Sequence, residues 1–165
     1  MSSEPVVVYL GLGSNMGNRW GNLDKALGFL SQRMPLKKVS SVYETEPAGN
    51  VEQPRFLNMV GQVTTRLAPM ELLSLVKGIE SILGRAPGGV NAPRPIDIDI
   101  LFYGDQVVDT PKLVIPHPRL AERAFVLIPL VEVAPDLVHP VSGLTVKQLL
   151  EGLREKQGVF KWENS

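Results

Sequence analysis

Apolar positions along this chain switch between two periods, and the switches outline its elements. Residues Val6 to Leu12 form a nearly continuous apolar run that reads as a buried strand. Gly11, Gly13 and Gly17 interrupt it, and Asn18 then stands as N-cap of a helix with Leu23, Ala26, Leu27, Leu30 and Met34 on one side. Pro35 ends that helix. Alternation from about Lys37 to Thr45 predicts a second strand. Pro47, Gly49, Asn50 and Pro54 mark Glu46 to Pro54 as a loop, and a longer strand is expected from about Arg55 to Arg66. Pro69 suits the first turn of a helix carrying Leu72, Leu73, Val76, Ile79 and Leu83 at helical spacing, with Gly84 near its end. Arg85 to Pro95 reads as a second loop, followed by a strand through Ile96 to Tyr103. Gly104-Asp105 predicts a tight turn into Gln106-Val107-Val108.

Strand, helix, strand, strand, helix, strand is the split βαβ order of a ferredoxin-like α+β fold. Beyond it the pattern predicts a short extended piece near Leu113 to Ile115. Helices are expected near Arg119 to Glu122, around Val126 to Val133, and around Thr145 to Leu153. Residues Arg154 to Gln157 read as surface. No repeat divides the chain, and residues 1–165 are expected to form a single domain.

Composition narrows the function classes. Hydrophobic residues make up 44% of the 165, enough for a proper core. Lys and Arg number 17 and are balanced by 17 Asp and Glu, which argues against a field for gripping nucleic acid or an anionic membrane. Without cysteine there is neither a disulfide framework nor a thiolate zinc site. No apolar run reaches transmembrane length, so the cytoplasm is the expected location.

The chemistry concentrates in Pro93-Arg94-Pro95-Ile96-Asp97-Ile98-Asp99. Two carboxylates two apart on a strand point to one face and repel one another. Either water screens that repulsion or a positive charge offsets it; the economical candidate is a hard divalent cation, and Mg²⁺ leaves room for phosphate oxygens. Arg94 could hold a phosphate beside the same metal. The alternative is that Asp97 and Asp99 are edge charges that discourage sheet-to-sheet pairing. Gly11, Gly13 and Gly17 match a dinucleotide fingerprint only loosely, the third being one place late, and read better as turning and close packing. His139 reads as structural.

These residues belong to a longer series. Gly11-Leu12-Gly13-Ser14-Asn15 is followed by Ser40-Ser41-Val42-Tyr43-Glu44-Thr45-Glu46-Pro47, Phe56-Leu57-Asn58, Ile79-Glu80 and Gly84-Arg85. The Asp segment and Pro116-His117-Pro118-Arg119 with Arg123-Ala124-Phe125 complete it. In this order the chain resembles the 6-hydroxymethyl-7,8-dihydropterin pyrophosphokinases of folate synthesis, from Val8 to about Leu150. The resemblance implies transfer of the β,γ-pyrophosphoryl group of ATP to the pterin hydroxymethyl group, with release of AMP. It implies two Mg²⁺ ions held by Asp97 and Asp99. The pterin would lie between Phe56 and Phe125, with Asn58 and backbone groups at Thr45 and Ala48 along its edge. Lys77, Glu80, Arg85, Ile100, Val114, His117 and Arg123 fall at ATP positions. One departure is visible: the segment from Arg85 to Arg94 has no Trp, and no Arg between its ends, although its Ala-Pro-Gly-Gly run suggests a mobile lid.

The implied chemistry suits these side chains. Arg85, Arg94 and Arg123 are candidate phosphate clamps, and His117 could donate to a phosphate or protonate a departing one. Stacking on Phe56 and Phe125 would add about 1 kcal/mol beyond burial. Taken singly, either phenylalanine would more often be core, and a lone helical Glu80 would more often face solvent. The expected partners are ATP and the pterin, with no nucleic acid or membrane, and the chain is expected to be a monomer or weak homodimer. Two rivals remain: a transferase with another acceptor on the same scaffold, and an RNA-binding ferredoxin-like module, which the balanced charge disfavours.

Overall fold

The computed structural model describes residues 4–46, 54–84, 94–153 and 158–163. Strand β1 (Val6–Ser14) is central, antiparallel to β4 (Phe56–Thr65) on one side and β5 (Asp97–Tyr103) on the other. Its alternation decides what lies above and below. Val8, Leu10 and Leu12 enter one apolar core, and Tyr9 enters another. The first core is roofed by α1 (Arg19–Arg33) and α2 (Pro69–Ile82), which bury Leu23, Ala26 and Leu30, and Leu72, Val76 and Ile79. Asn18 caps α1 as expected, its side chain accepting the Gly21 N–H at 3.0 Å. Pro69 opens α2, and Glu71 reaches back to the Ala68 N–H at 2.8 Å.

The expected strand from Lys37 to Thr45 is two strands, β2 (Leu36–Val39) and β3 (Tyr43–Thr45), both paired with β4. The break has a hydrogen-bond cause. Ser40 gives its N–H to the Val60 carbonyl and accepts the Val60 N–H on its own hydroxyl, so a side chain replaces a backbone acceptor. Glu132 then takes the Ser41 N–H and the hydroxyls of Ser41 and Tyr43. Burial and that carboxylate push the Tyr43 phenol up to about 12.

The order β5-β1-β4 with β2 and β3 beyond it is the antiparallel ferredoxin-like sheet that the element order predicts. One strand was not expected. β8 (Val159–Lys161) pairs with β3 and extends the sheet past Thr45. The 106–108 and 113–115 pieces form a small hairpin, β6 (Val108–Asp109) with β7 (Val114–Ile115). The predicted helix near Arg119 is a single 3-10 turn, Leu120–Glu122. Helix α3 (Ala124–Val133) starts two residues earlier than its apolar pattern, and α4 (Val146–Glu151) is shorter than expected. These two helices cover Tyr9, Val60, Leu101 and Phe102 in the second core. Leu101 and Phe102, adjacent in sequence, both enter that core because a register shift falls opposite Tyr9 and Leu10. The part of this sheet face beside Gly11 and Gly13 is left to a cavity.

Candidate active site

The cross-strand register builds the site. Asp97 pairs with Gly13, Gly13 with Asn58, and Asn58 with Tyr43, so one row runs across four strands on one face. Asp99 pairs with Gly11 in the row two residues along β1. Strands lie about 4.8 Å apart, which sets the Asp97 and Asn58 backbones about 10 Å from each other with only glycine between them. The glycine is required by packing. A Cβ on Gly13 would stand 2.8 Å from Asn58 Oδ1 and 3.6 Å from the Phe56 ring. Asn58 is buried, and its Nδ2 donates to the Thr45 hydroxyl at 2.9 Å, which fixes the amide's orientation.

A cavity of about 210 Å³ occupies this face. Thr45, Phe56 and Asn58 line one end; Arg94, Asp97 and Asp99 line the β5 end; Arg123 and Phe125 enter from the start of α3. The Arg123 guanidinium sits 5.5 Å from the Phe125 ring centroid. Arg119 and Glu122 also line the cavity, and no role was assigned to them from the sequence. Their signal was position: both lie in the segment that joins Pro116-His117-Pro118 to Arg123.

With this geometry in hand, residues 9–135 match the family model for 7,8-dihydro-6-hydroxymethylpterin-pyrophosphokinase (HPPK). The chain belongs to the HPPK family. It is 43% identical over 141 residues to the 2-amino-4-hydroxy-6-hydroxymethyldihydropteridine pyrophosphokinase of Aquifex aeolicus, covering 86% of this chain and 88% of that protein. It is 40% identical over 164 residues to the enzyme of the same name from Bacillus subtilis, covering 96% and 97%. Other relatives are longer: the chain spans 20% of a Pneumocystis carinii folic acid synthesis protein to which it is 43% identical. A solved Plasmodium falciparum HPPK-DHPS structure aligns with a TM-score of 0.74 at 18% identity, over 91% of this chain and 46% of that one. That likeness supports the fold.

The remaining HPPK positions gather along the outer side of β5. Glu80 of α2 is 3% exposed, and its Oε2 accepts the Ile98 N–H at 2.8 Å, between the two aspartates in sequence. Glu80 is buried because it continues the Leu72-Val76 row at i+4 spacing, unlike a lone carboxylate on a solvent face. Lys77 Nζ lies 3.4 Å from Glu80 Oε1 and is itself exposed. The Ile100 side chain lies in the first core, so only its backbone remains for a ligand. Val114 is exposed on β7, which packs beside β5. Ala48 and Arg85 lie outside the described residues.

Charge is unevenly satisfied. Arg94 Nη1 is 3.3 Å from Asp97 Oδ2. Asp99, with only protein groups around it, is raised to about 7, by burial first and by the Asp97 charge second, with Arg123 pulling the other way. His117 is lowered to about 4 by burial and by Arg123. Its Nδ1 accepts the Arg119 N–H at 3.2 Å. It therefore stands neutral at pH 7 with Nε2 carrying the proton, a hydrogen-bond donor and not a stored acid. An arriving polyphosphate would shift it back upwards.

Proposed function

We propose that this cavity is where the chain performs the HPPK reaction, moving the β,γ-pyrophosphoryl group of ATP to the hydroxymethyl group of 6-hydroxymethyl-7,8-dihydropterin and releasing AMP. The observation that carries the assignment is the row Asp97, Gly13, Asn58. It puts a buried amide suited to a heterocycle edge on the same sheet face as the paired carboxylates. Phe56 and Phe125 would take the two faces of the pterin, and Asn58, with Thr45 behind it, would read its edge. Ala48 would add a backbone group.

Asp97 and Asp99 fit two Mg²⁺ ions. With two carboxylates as the protein ligands, most positions on each ion would be filled by phosphate oxygens and water. Burial first and the Asp97 charge second raise Asp99, and a cation shared by the two carboxylates would oppose that rise. Bound there, Mg²⁺ would neutralise triphosphate charge and acidify the attacking hydroxyl. Arg94, Arg123 and Arg85 would clamp phosphates; His117 would donate through Nε2; Lys77, Glu80, Val114 and the Ile100 backbone would border the nucleotide along β5. Positioning supplies the rest, the hydroxyl being held in line with the transferred phosphorus.

The same reading has residues 1–165 working as one domain, a monomer or weak homodimer, in the cytoplasm. Among the described residues no helix is long and apolar enough to cross a membrane. Incubation with ATP, Mg²⁺ and the pterin tests the reaction. AMP is the expected product, and ADP in its place would overturn the assignment.

A further inference from the structure

Thr45 is only 3% exposed, although it ends a strand of three residues at the rim of the cavity. β4 lies on one side of it and β8, the unexpected strand, on the other. Two backbone bonds bracket the β3–β8 pair: the Trp162 N–H donates to the Val42 carbonyl at 2.8 Å, and the Glu46 N–H to the Gly158 carbonyl at 3.2 Å. Bonded and non-bonded pairs alternate along an antiparallel ladder. Glu44 and Phe160 are therefore a bonded pair, and Thr45 and Val159 a non-bonded one, the kind whose side chains stand closest. Both project from the cavity face, so Val159 covers the outer flank of Thr45. Gly158 permits the approach, since a Cβ there would stand 3.1 Å from Glu46 Cδ. Trp162 faces the opposite way, packs against the first core and stacks at 6.3 Å from Trp20 of α1, which fastens β8 in place.

We propose that β8 is a positioning element for the pterin end of the site, with Val159 as the residue that acts, through Thr45, on the Asn58 amide. The Thr45 hydroxyl accepts the Asn58 Nδ2–H at 2.9 Å. A hydroxyl open to water has rival donors and acceptors and turns to suit them; one closed off from water keeps its protein partner. β3 cannot close off Thr45 by itself. It is three residues long, it follows the break at Ser40, and without β8 it would be an edge strand with its far side wet. β8 supplies that missing side. The effect is local to one end: among the described residues of β8 none lines the cavity, so its influence passes by way of Thr45 and not by contact with a ligand.

The inference rests on the proposed reaction, and wild-type AMP formation tests that reading by itself. The role of β8 is read first without substrate: exchange of the Asn58 side-chain amide with solvent, followed by NMR, should be slow in the wild type and faster in Val159→Ala. In turnover, Val159→Ala should raise the pterin KM about fivefold, the worth of one net hydrogen bond. Its kcat and ATP KM should stay within about twofold of wild type, the signature of lost binding at one substrate alone. Val159→Ile keeps the cover and should restore the wild-type KM. Phe160→Pro removes the N–H that faces Glu44 and, with it, only an exposed side chain, so it should reproduce the Val159→Ala pattern, whereas Phe160→Ala keeps that N–H and should not. In a Thr45→Val background Val159→Ala should add nothing, because the hydroxyl it protects is gone. Equal rises in the two KM values, an undiminished effect in Thr45→Val, or Asn58 exchange that is unchanged by Val159→Ala would each overturn the role of β8.

Discussion

The two ends of the cavity are built on opposite principles. At the Asn58 end every polar group named has a protein partner: the amide meets the Thr45 hydroxyl, and Gly13 leaves it room. At the Asp97 end two carboxylates stand side by side, and burial with the Asp97 charge raises Asp99 to about 7. In the proposed reaction the first end would select by shape and the second by charge. A heterocycle that must be told from its analogues needs the former, and a polyphosphate carrying metal needs the latter.

The largest effect should come from removing the carboxylate end. Asp97→Ala and Asp99→Ala are each expected to cut turnover by about 10²–10³-fold or more at saturating Mg²⁺ with the fold retained by circular dichroism, because each would take away a ligand of the proposed Mg²⁺ that offsets charge on the reacting phosphates. Wild-type turnover in either would remove the basis of the contrast. Next comes the Asn58 end: Phe125→Ala should weaken pterin binding several-fold more than nucleotide binding, and equal losses by calorimetry would deny it a stacking role.

Gly13→Ala sharpens the comparison further. Its methyl would press within 2.8 Å of Asn58 Oδ1, so the pterin KM should rise while the Mg²⁺ dependence stays put. The smallest effect concerns pH. Asp99 ionises at about 3.8 when unfolded and about 7 when folded. Between those values the folded chain holds a proton that the unfolded chain has lost, so this group's contribution to stability falls as pH rises. His117, lowered from 6.5 to about 4, contributes in the opposite direction over much of that window and masks it in the wild type alone. The Tm difference should therefore be taken between Asp99→Asn and wild type, without Mg²⁺. It should grow in the variant's favour from pH 4 to 7; a flat difference would mean that Asp99 is ordinarily ionised. Mg²⁺ affinity of the wild type should climb over the same range and level off above it.

Much of this was legible in the chain because local pattern and tertiary role agree. Asp97 and Asp99 alternate with Ile98 and Ile100, and the sheet places the first pair on the cavity and the second in the core. The glycines read as close packing, and Gly13 is packed against the Asn58 and Phe56 side chains. What escaped depends on distant partners. Ser40 breaks a strand only because Val60 lies opposite it. β8 is three residues long and exists through its pairing with β3, and so local propensity carries no trace of it. The bond from the Ile98 N–H to Glu80 escaped because no sequence rule says that an edge strand's N–H lies above that turn of helix. The Asn15 side chain bonds to Pro54 and Arg94, 39 and 79 residues along the chain, and those contacts are likewise a product of folding.

The contact between Arg94 and Asp97 has one more consequence. If Asp97 takes Mg²⁺ as proposed, the guanidinium now beside it would be displaced, tethered three residues away and within reach of the incoming anion. Loading the pocket would then be a barter of counter-ions: the metal would inherit the acid, and the arginine would pass to the phosphate without leaving the neighbourhood.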